Sequence, residues 1–283
     1  MDIEALNNWK FEDIEHSYTE RDTMLYALGL GFGEDPNDPK ELAYVYEDGL
    51  VAAPSMAVIL GYPGFWLKDP KTGIDWKKVL HGEQWLEVFK PLPVAGTVIG
   101  RTSIDQISDK GEGKGAVLYL SRDIIDAASG ETLARVKMST FCRGDGGFGG
   151  ENLPGPVPAV LPERAPDHVC DLTTLPRQAL IYRLSGDYNP LHADPEVARS
   201  VGFDRPILHG LATYGLAGRA VLKSICDYDS SRLVGLDVRF SAPVYPGETV
   251  RFEIWEDDKD VRFRATVPER DVLVLNNGAA RLA

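Results

Sequence analysis

The stretch LATYGLAGRAVLKSI, residues 211–225, has the clearest helical pattern in the chain. Its apolar residues recur at the spacing of one helix face: Leu211, Tyr214, Val221, Leu222 and Ile225. Ala217 and Gly218 fall on the same stripe. A glycine inside a helix costs about 1 kcal/mol relative to alanine, so these small residues predict that other elements pack closely around the helix.

Four short β-rich runs follow this helix, separated by Pro-Gly, acidic or charged turns. They cover residues 233–240, 249–256, 261–267 and 272–275. We expect them to form a meandering antiparallel sheet. A helix of small residues followed by such strands predicts an α+β domain, in which a curved sheet encloses a central helix.

Two segments of the first half are echoed in the second. LEVFKPLPVAGTV (86–98) resembles DVRFSAPVYPGETV (237–250), and YALGLG (26–31) resembles YRLSGD (182–187) in the same order. Duplication explains both echoes; the alternative is that two antiparallel hairpins share turn chemistry by chance.

The Gly- and Pro-rich residues 144–166 cannot sustain a helix or a central strand. We therefore predict an N-terminal domain over 1–143, a linker over 144–166 and a C-terminal domain over 167–283. A chain of 283 residues suits two such units.

Composition excludes several classes of function. The net charge of -13 argues against nucleic acid or an anionic membrane as a partner. Three widely separated cysteines give no disulfide framework, and no apolar run approaches the ~20 residues that span a bilayer. We expect a cytoplasmic protein that is neither secreted nor membrane-embedded. The final residues ARLA differ from the SKL type of peroxisomal signal, although a peroxisomal location stays open.

The densest polar chemistry lies in YRLSGDYNPLHADPEVARSVGFDRPILHG, residues 182–210. Asn189-Pro190 favours a turn, so Asp187 and His192 can point into one pocket across a bend. The dipeptide Asp194-Pro195 predicts an N-cap and a first-turn proline that open a short helix through Arg199.

A carboxylate and an imidazole in one pocket could share a water molecule and transfer its proton. Taken singly, Asp187 could merely close an Asx turn and His192 could be a hydrogen-bonded core histidine. The adjacent His209-Gly210 begins the long helix, where the N–H of Gly210 and the helix dipole could stabilise an oxyanion.

At this point the sequence resembles a known family. YRLSGDYNPLH (182–192) and the GFxxPIxHG segment (202–210) are similar to the signature of the (R)-specific enoyl-CoA hydratases, also called hydratase 2 and grouped with MaoC-like dehydratases. In the first half, VLHGEQ (79–84) and KPLP (90–93) resemble the substrate-binding, non-catalytic half of two-domain members.

The resemblance implies a double hotdog fold, with two repeats that each have a central helix wrapped by an antiparallel sheet. The first half should be catalytically inactive, because its echo GFGEDP (31–36) lacks an Asp/His pair. The family's first half loses part of the central helix, and residues 55–66, rich in Gly and Pro, make a poor helix. We expect an acyl tunnel there.

The implied reaction is reversible hydration of trans-2-enoyl-CoA to (3R)-3-hydroxyacyl-CoA in fatty-acid metabolism, without a metal or a cofactor. Asp187 and His192 would activate the water, and Gly210 N–H would hold the thioester oxygen. The expected substrate-binding residues are Asn189, His81, Gly82, Lys90, Arg205 and His209. Arg205 could instead form a salt bridge with Asp204 or Asp194.

Three other functions stay open at this stage: a hotdog acyl-CoA thioesterase, a non-catalytic acyl-CoA-binding module, and a metal-dependent hydrolase that uses His192, Asp194 and His209 as Zn²⁺ ligands. In each of the first two, an acyl-CoA thioester is the expected partner. An exposed sheet edge could also pair two chains into a homodimer.

Overall fold

The computed structural model describes residues 1–283 and contains one ten-stranded antiparallel sheet. The strands are β1 (Ile14–Tyr18), β2 (Val79–Val88), β3 (Gly96–Asp109), β4 (Ala116–Asp126), β5 (Thr132–Cys142), β6 (His168–Thr173), β7 (Leu233–Phe240), β8 (Thr249–Asp257), β9 (Asp260–Val267) and β10 (Val272–Leu282). Their order across the sheet is β1-β3-β4-β5-β2-β7-β10-β9-β8-β6.

This strand order is the same in the two halves when each is read from its outer edge inward. β1, β3, β4, β5 and β2 correspond to β6, β8, β9, β10 and β7. The halves join where β2 pairs with β7, from Glu83 opposite Arg239 to Glu87 opposite Gly235. The shared order supports duplication.

The expected C-terminal meander is wrong for β7, which pairs with β10 and not with β8. Strands β8, β9 and β10 do pair in sequence order, as a meander requires. The chance alternative for the echoed segments does not hold, because they are not hairpins: β2 pairs with β5 and β7 and not with β3.

The α-helices are α1 (Ile3–Asn7), α2 (Glu20–Gly29), α3 (Pro39–Leu42), α4 (Gln178–Tyr182), α5 (Pro195–Ser200) and α6 (Gly210–Ser224). α6 confirms the predicted long helix. It is buried on every side between Ala212 and Leu222. A Cβ on Gly215 would lie 2.4 Å from a methyl carbon of Leu30, which explains a small residue at this position. None of the helices is long and apolar enough to cross a membrane.

The N-terminal half has no counterpart of similar length, so a full central helix is present only in the C-terminal repeat, and the expectation that residues 55–66 make a poor helix is confirmed. A short 3-10 helix, Pro54–Ile59, packs there against α6 and strands β2, β5 and β7. It ends before Gly61, which has φ +57° and lies so close to Gly100 that an added Cβ would be 2.6 Å from its Cα. The chain therefore turns sharply where a longer helix would continue.

Residues 144–166 form neither helix nor strand, as the composition predicts. This segment is nevertheless fixed to the sheet. The Asp109 carboxylate accepts hydrogen bonds from the N–H groups of Gly147, Gly149 and Gly150, and Asn277 donates to the carbonyl of Ala159. The two halves share one apolar core, and the domain boundaries at 143 and 167 stay a prediction.

Candidate active site

The loop after α4 presents Asp187 at the surface. Gly186 has φ +114°, a conformation that favours glycine, and it turns the chain out of the preceding helical segment. Oδ1 of Asp187 accepts from Asn189 N–H at 3.1 Å, and Oδ1 of Asn189 accepts from Leu191 N–H at 3.1 Å. The predicted bend is present. The Asx turn of Asp187 uses one carboxylate oxygen, and no protein donor reaches the other.

His192 lies at the end of this bend, and only 8% of its surface is exposed. Its Nδ1 lies 2.9 Å from the carbonyl oxygen of Ile207. Because a carbonyl can only accept, Nδ1 carries the proton and Nε2 is left as the acceptor. Burial lowers the pKa of His192, so the ring is neutral at pH 7. A neutral Nε2 can take a proton from a water molecule.

His209 holds the two groups together. It precedes the first turn of α6, and its Nε2 donates to the backbone carbonyl of Asp187 at 3.1 Å. Its ring stacks on His192 with the centroids 3.7 Å apart. Burial and the neighbouring His192 lower the pKa of His209. One potential ligand atom from each of Asp187, His192 and His209 lies within 4.8 Å of the others. The geometry gives His209 a positioning role, whereas its predicted contact with substrate stays a prediction.

Gly210 opens α6, where the N–H groups of the first turn have no partner within the helix. The helix dipole makes this end favourable for negative charge. A Cβ on Gly210 would lie 3.5 Å from Phe240, an ordinary contact distance. Packing therefore does not require glycine here.

The N-terminal half contributes His81 beside the same helix end. The His81 ring lies 4.7 Å from the Phe240 ring, and its Nε2 donates to the carbonyl of Glu83 at 3.1 Å. Burial lowers the pKa of His81 to about 4, although the Asp187 carboxylate opposes this shift. Gly82 forms a bulge in β2, and a Cβ there would lie 2.8 Å from Oγ of Ser139. Thus Gly82 has a packing role.

Tyr62 and Arg122, which the sequence did not reveal, lie on the same side. Burial raises the pKa of Tyr62, and the Asp187 carboxylate raises it further. The Arg122 guanidinium lies 5.4 Å from the Tyr62 ring and donates to the Val58 carbonyl at 2.6 Å. Nε of Arg122 has no partner, and burial lowers the pKa of Arg122 to about 10. Tyr62 and Arg122 lie far from Asp187 in the sequence and belong to no motif that contains it.

Two predicted residues make contacts with other groups. Lys90 forms an ion pair with Glu131 and lies two residues beyond the end of β2, and the seven steps along β2 from His81 to Val88 alone span roughly 23 Å. The Arg205 guanidinium lies 5.1 Å from the Tyr245 ring and forms no salt bridge. The alternative in which Arg205 pairs with Asp204 or Asp194 is therefore wrong.

Asp194 is instead the N-cap of α5, as predicted, and accepts from the N–H groups of Glu196 and Val197. The residues that come together with His192 and His209 therefore include Asp187 and not Asp194, unlike the Zn²⁺ ligand set suggested by the sequence. Two clefts of about 300 and 400 Å³ lie under the linker and beside α1. Neither includes Asp187, His192 or Gly210, so the candidate site is identified by its polar groups and not by cleft size.

Each half of the chain matches a known protein family. Residues 158–277 match the MaoC like domain, and residues 16–144 match the MFE-2 hydratase 2 N-terminal domain. The chain is 40% identical over 291 residues to a protein of Dictyostelium discoideum named probable enoyl-CoA hydratase 2, covering 99% of this chain and 96% of that protein. The chain belongs to the MaoC-like hydratase 2 family. This confirms the resemblance seen in residues 182–192.

Solved structures agree with the fold of this hydratase 2 chain. A crystal structure of a MaoC-like dehydratase from Phytophthora capsici superposes with a TM-score of 0.87 at 34% identity, covering 100% of this chain and 99% of that one. A Mycobacterium tuberculosis protein described as having a double hotdog fold gives a TM-score of 0.59 at 14% identity, covering 98% of this chain and 97% of that one. The latter likeness concerns the fold alone.

In this hydratase 2 chain the loop after α2 contains no Asp/His pair. Glu34 of that loop pairs with Arg219 of α6 at 3.0 Å, and Arg219 also pairs with the buried Glu41 at 2.9 Å. Tyr228 donates a further hydrogen bond to Glu41. The N-terminal counterpart of the Asp187 loop is therefore tied by the half-exposed Glu34 to the buried ion pair of Arg219 and Glu41.

Proposed function

We propose that this chain catalyses the reversible hydration of trans-2-enoyl-CoA to (3R)-3-hydroxyacyl-CoA in fatty-acid metabolism. The observation that carries the proposal is the meeting of the Asp187 carboxylate with the neutral His192 ring, close to the start of α6. The relative in Dictyostelium discoideum, named an enoyl-CoA hydratase 2, supports the same reaction.

In the hydration direction, Asp187 and Nε2 of His192 hold one water molecule. An O–H bond of this water breaks as its oxygen bonds to the β-carbon, the released proton passes to the Asp187/His192 pair, and the pair delivers a proton to the α-carbon. The Gly210 N–H donates to the thioester oxygen while that oxygen carries enolate charge. Positioned acid-base transfer supplies about 10²- to 10⁴-fold in rate, and an oxyanion donor supplies about 3 kcal/mol.

The decisive experiment follows the loss of ultraviolet absorbance of the enoyl thioester for crotonyl-CoA, decenoyl-CoA and a branched enoyl-CoA, with chiral analysis of the product. We expect the (3R)-hydroxyacyl-CoA and no free thiol. Release of CoA thiol would identify a thioesterase, and binding without turnover would identify an acyl-CoA-binding module.

We propose that the reaction needs no metal. One potential ligand atom from each of Asp187, His192 and His209 lies within 4.8 Å of the others, a spacing that could hold a cation. Hydratase activity should therefore be measured after exhaustive chelation. Full activity is expected, and loss that is restored by added Zn²⁺ would overturn this part of the proposal.

The N-terminal half would hold the acyl chain near the short 3-10 helix, beside Tyr62 and Arg122. The tunnel itself, the cytoplasmic location and a homodimer stay predictions. The outermost strands β1 and β6 are the edges at which two chains could pair. Light scattering coupled to gel filtration measures the mass, and a value near 31.1 kDa would contradict the dimer.

A further inference from the structure

Four side chains of the segment before β2 form an aromatic–lysine patch, defined by Phe65, Lys68, Trp76 and Lys77. The rings of Phe65 and Trp76 lie 6.2 Å apart at 85°, and both are about 40% exposed. Nζ of Lys68 lies 4.9 Å from the Trp76 ring and 5.3 Å from the Phe65 ring, and Nζ of Lys77 lies 5.7 Å from the Trp76 ring. Exposed aromatic faces and ammonium groups thus occupy one surface.

The two lysines of the patch form no salt bridge. The adjacent Lys78 pairs with Asp75 at 2.9 Å, and the charge of Lys77 also acts on the Asp75 carboxylate. Two ammonium groups without a salt bridge, beside flat apolar rings, are complementary to an anion that carries an aromatic base.

The patch flanks the candidate active site along the chain. Phe65 follows Tyr62 by three residues, and Trp76 precedes His81 by five. Fully extended, these connections span at most ~10 Å and ~17 Å. The charge of Asp187 acts on both Tyr62 and His81. A substrate whose thioester lies between Asp187 and Gly210 therefore has the patch within reach of a long polar extension.

We propose that the aromatic–lysine patch binds the phosphorylated adenosine end of coenzyme A. The adenine base would stack on Trp76 or Phe65, and Lys68 and Lys77 would pair with the phosphates. This inference rests on the proposed function, because it assigns the part of the substrate remote from the reacting carbons. It gives the phosphates a site different from Lys90 and Arg205, which form other contacts.

The test compares two substrates that share the reacting atoms. Crotonyl-CoA has the adenosine phosphates, and crotonyl-pantetheine lacks them. For the double variant Lys68→Glu/Lys77→Glu we expect the preference for crotonyl-CoA, expressed as the ratio of the two kcat/KM values, to fall at least about tenfold through a higher KM. Trp76→Ala should lower it in the same direction.

A matched control is Lys259→Glu, which reverses a charge in the exposed turn between β8 and β9, remote from the patch in the sheet order. The control should keep the wild-type preference. Titration calorimetry with adenosine 3′,5′-bisphosphate gives a readout that does not depend on turnover. The wild-type chain and the control should bind it with an affinity that falls with salt, and the double variant should bind at least about tenfold more weakly.

An unchanged preference and unchanged bisphosphate affinity in the double variant would overturn the assignment. Failure of the proposed function gives a different result, because the wild-type chain would then hydrate neither crotonyl thioester. If the double variant and the control lost affinity equally, the effect would be one of net charge, and the site would be rejected.

Discussion

Replacing His192 by glutamine tests the proposed acid-base pair most directly. The ring is buried, and its Nδ1 donates to the Ile207 carbonyl while Nε2 is left for water. Glutamine has a polar side chain of similar size but no basic nitrogen. We expect kcat for crotonyl-CoA hydration to fall by about 10²- to 10⁴-fold.

The same substitution should affect stability much less. It removes the stacking of His192 on His209, whose centroids are 3.7 Å apart, a contribution of about 0.5–1.5 kcal/mol. For a chain of this size each kcal/mol shifts Tm by roughly 2–4 °C, so the variant stays folded at assay temperature. Calorimetry and the ultraviolet assay therefore separate lost chemistry from lost structure.

Two comparisons sharpen the result. His168→Gln changes a half-exposed histidine on β6 and should keep wild-type turnover. Asp187→Asn combined with His192→Gln should be little worse than either change alone, because both side chains act on one water. The reasoning is refuted if folded His192→Gln keeps kcat within threefold of wild type.

Other consequences concern acid stability, the buried network and two glycines. Burial lowers the native pKa of His81 to about 4 and also lowers that of the two site histidines, below the unfolded value of about 6.5. Their contribution to stability is complete above that value. It is lost on acidification towards pH 4 by up to about 1.4 kcal/mol per pH unit for each histidine, so Tm should decline from pH 6.5 downwards, and a flat profile would contradict this. Glu41→Gln leaves the buried Arg219 with a weaker partner and should reduce the free energy of unfolding by about 3–5 kcal/mol in denaturant titration; a loss below 1 kcal/mol would exclude a structural network. Gly100→Ala would place Cβ 2.1 Å from the Gly61 carbonyl oxygen and should unfold the chain at 37 °C, whereas Gly210→Ala places Cβ at an ordinary 3.5 Å from Phe240 and should keep the wild-type Tm.

Local signals in the sequence predicted the elements around the site. The small-residue stripe predicted α6, and Asp194-Pro195 predicted the start of α5, because both depend on residues within one or two turns. The bend between Asp187 and His192 also follows from its own Asn-Pro dipeptide. Each of these features depends on a stretch of at most about fifteen residues, which is close to the length of an average helix.

The missed features depend on contacts between distant segments. β2 pairs with β7 across about 150 residues, and alternating apolar residues do not specify which partner a strand chooses. Tyr62 comes near Asp187, and Arg122 near Tyr62, only after the short 3-10 helix has turned at Gly61. Lys90 looked suitable because its motif resembles the family, yet the length of β2 places it far from His81. Motif resemblance identified residue types, whereas strand length and pairing determine their distance.

The two halves share a strand order, and they differ in how the polar groups beside α6 are satisfied. At the N-terminal loop, Glu34 and Glu41 both bond to Arg219, and Tyr228 donates to Glu41, so these carboxylates have protein partners. At the C-terminal loop, one oxygen of Asp187, Nε2 of His192 and the N–H of Gly210 have no protein partner. Unpaired polar groups near a buried surface cost free energy unless water or a ligand satisfies them. The first arrangement links the two halves through Arg219 and contains no carboxylate–imidazole pair. The second can exchange a proton, which is why we assign one active site to each chain and place it in the C-terminal half.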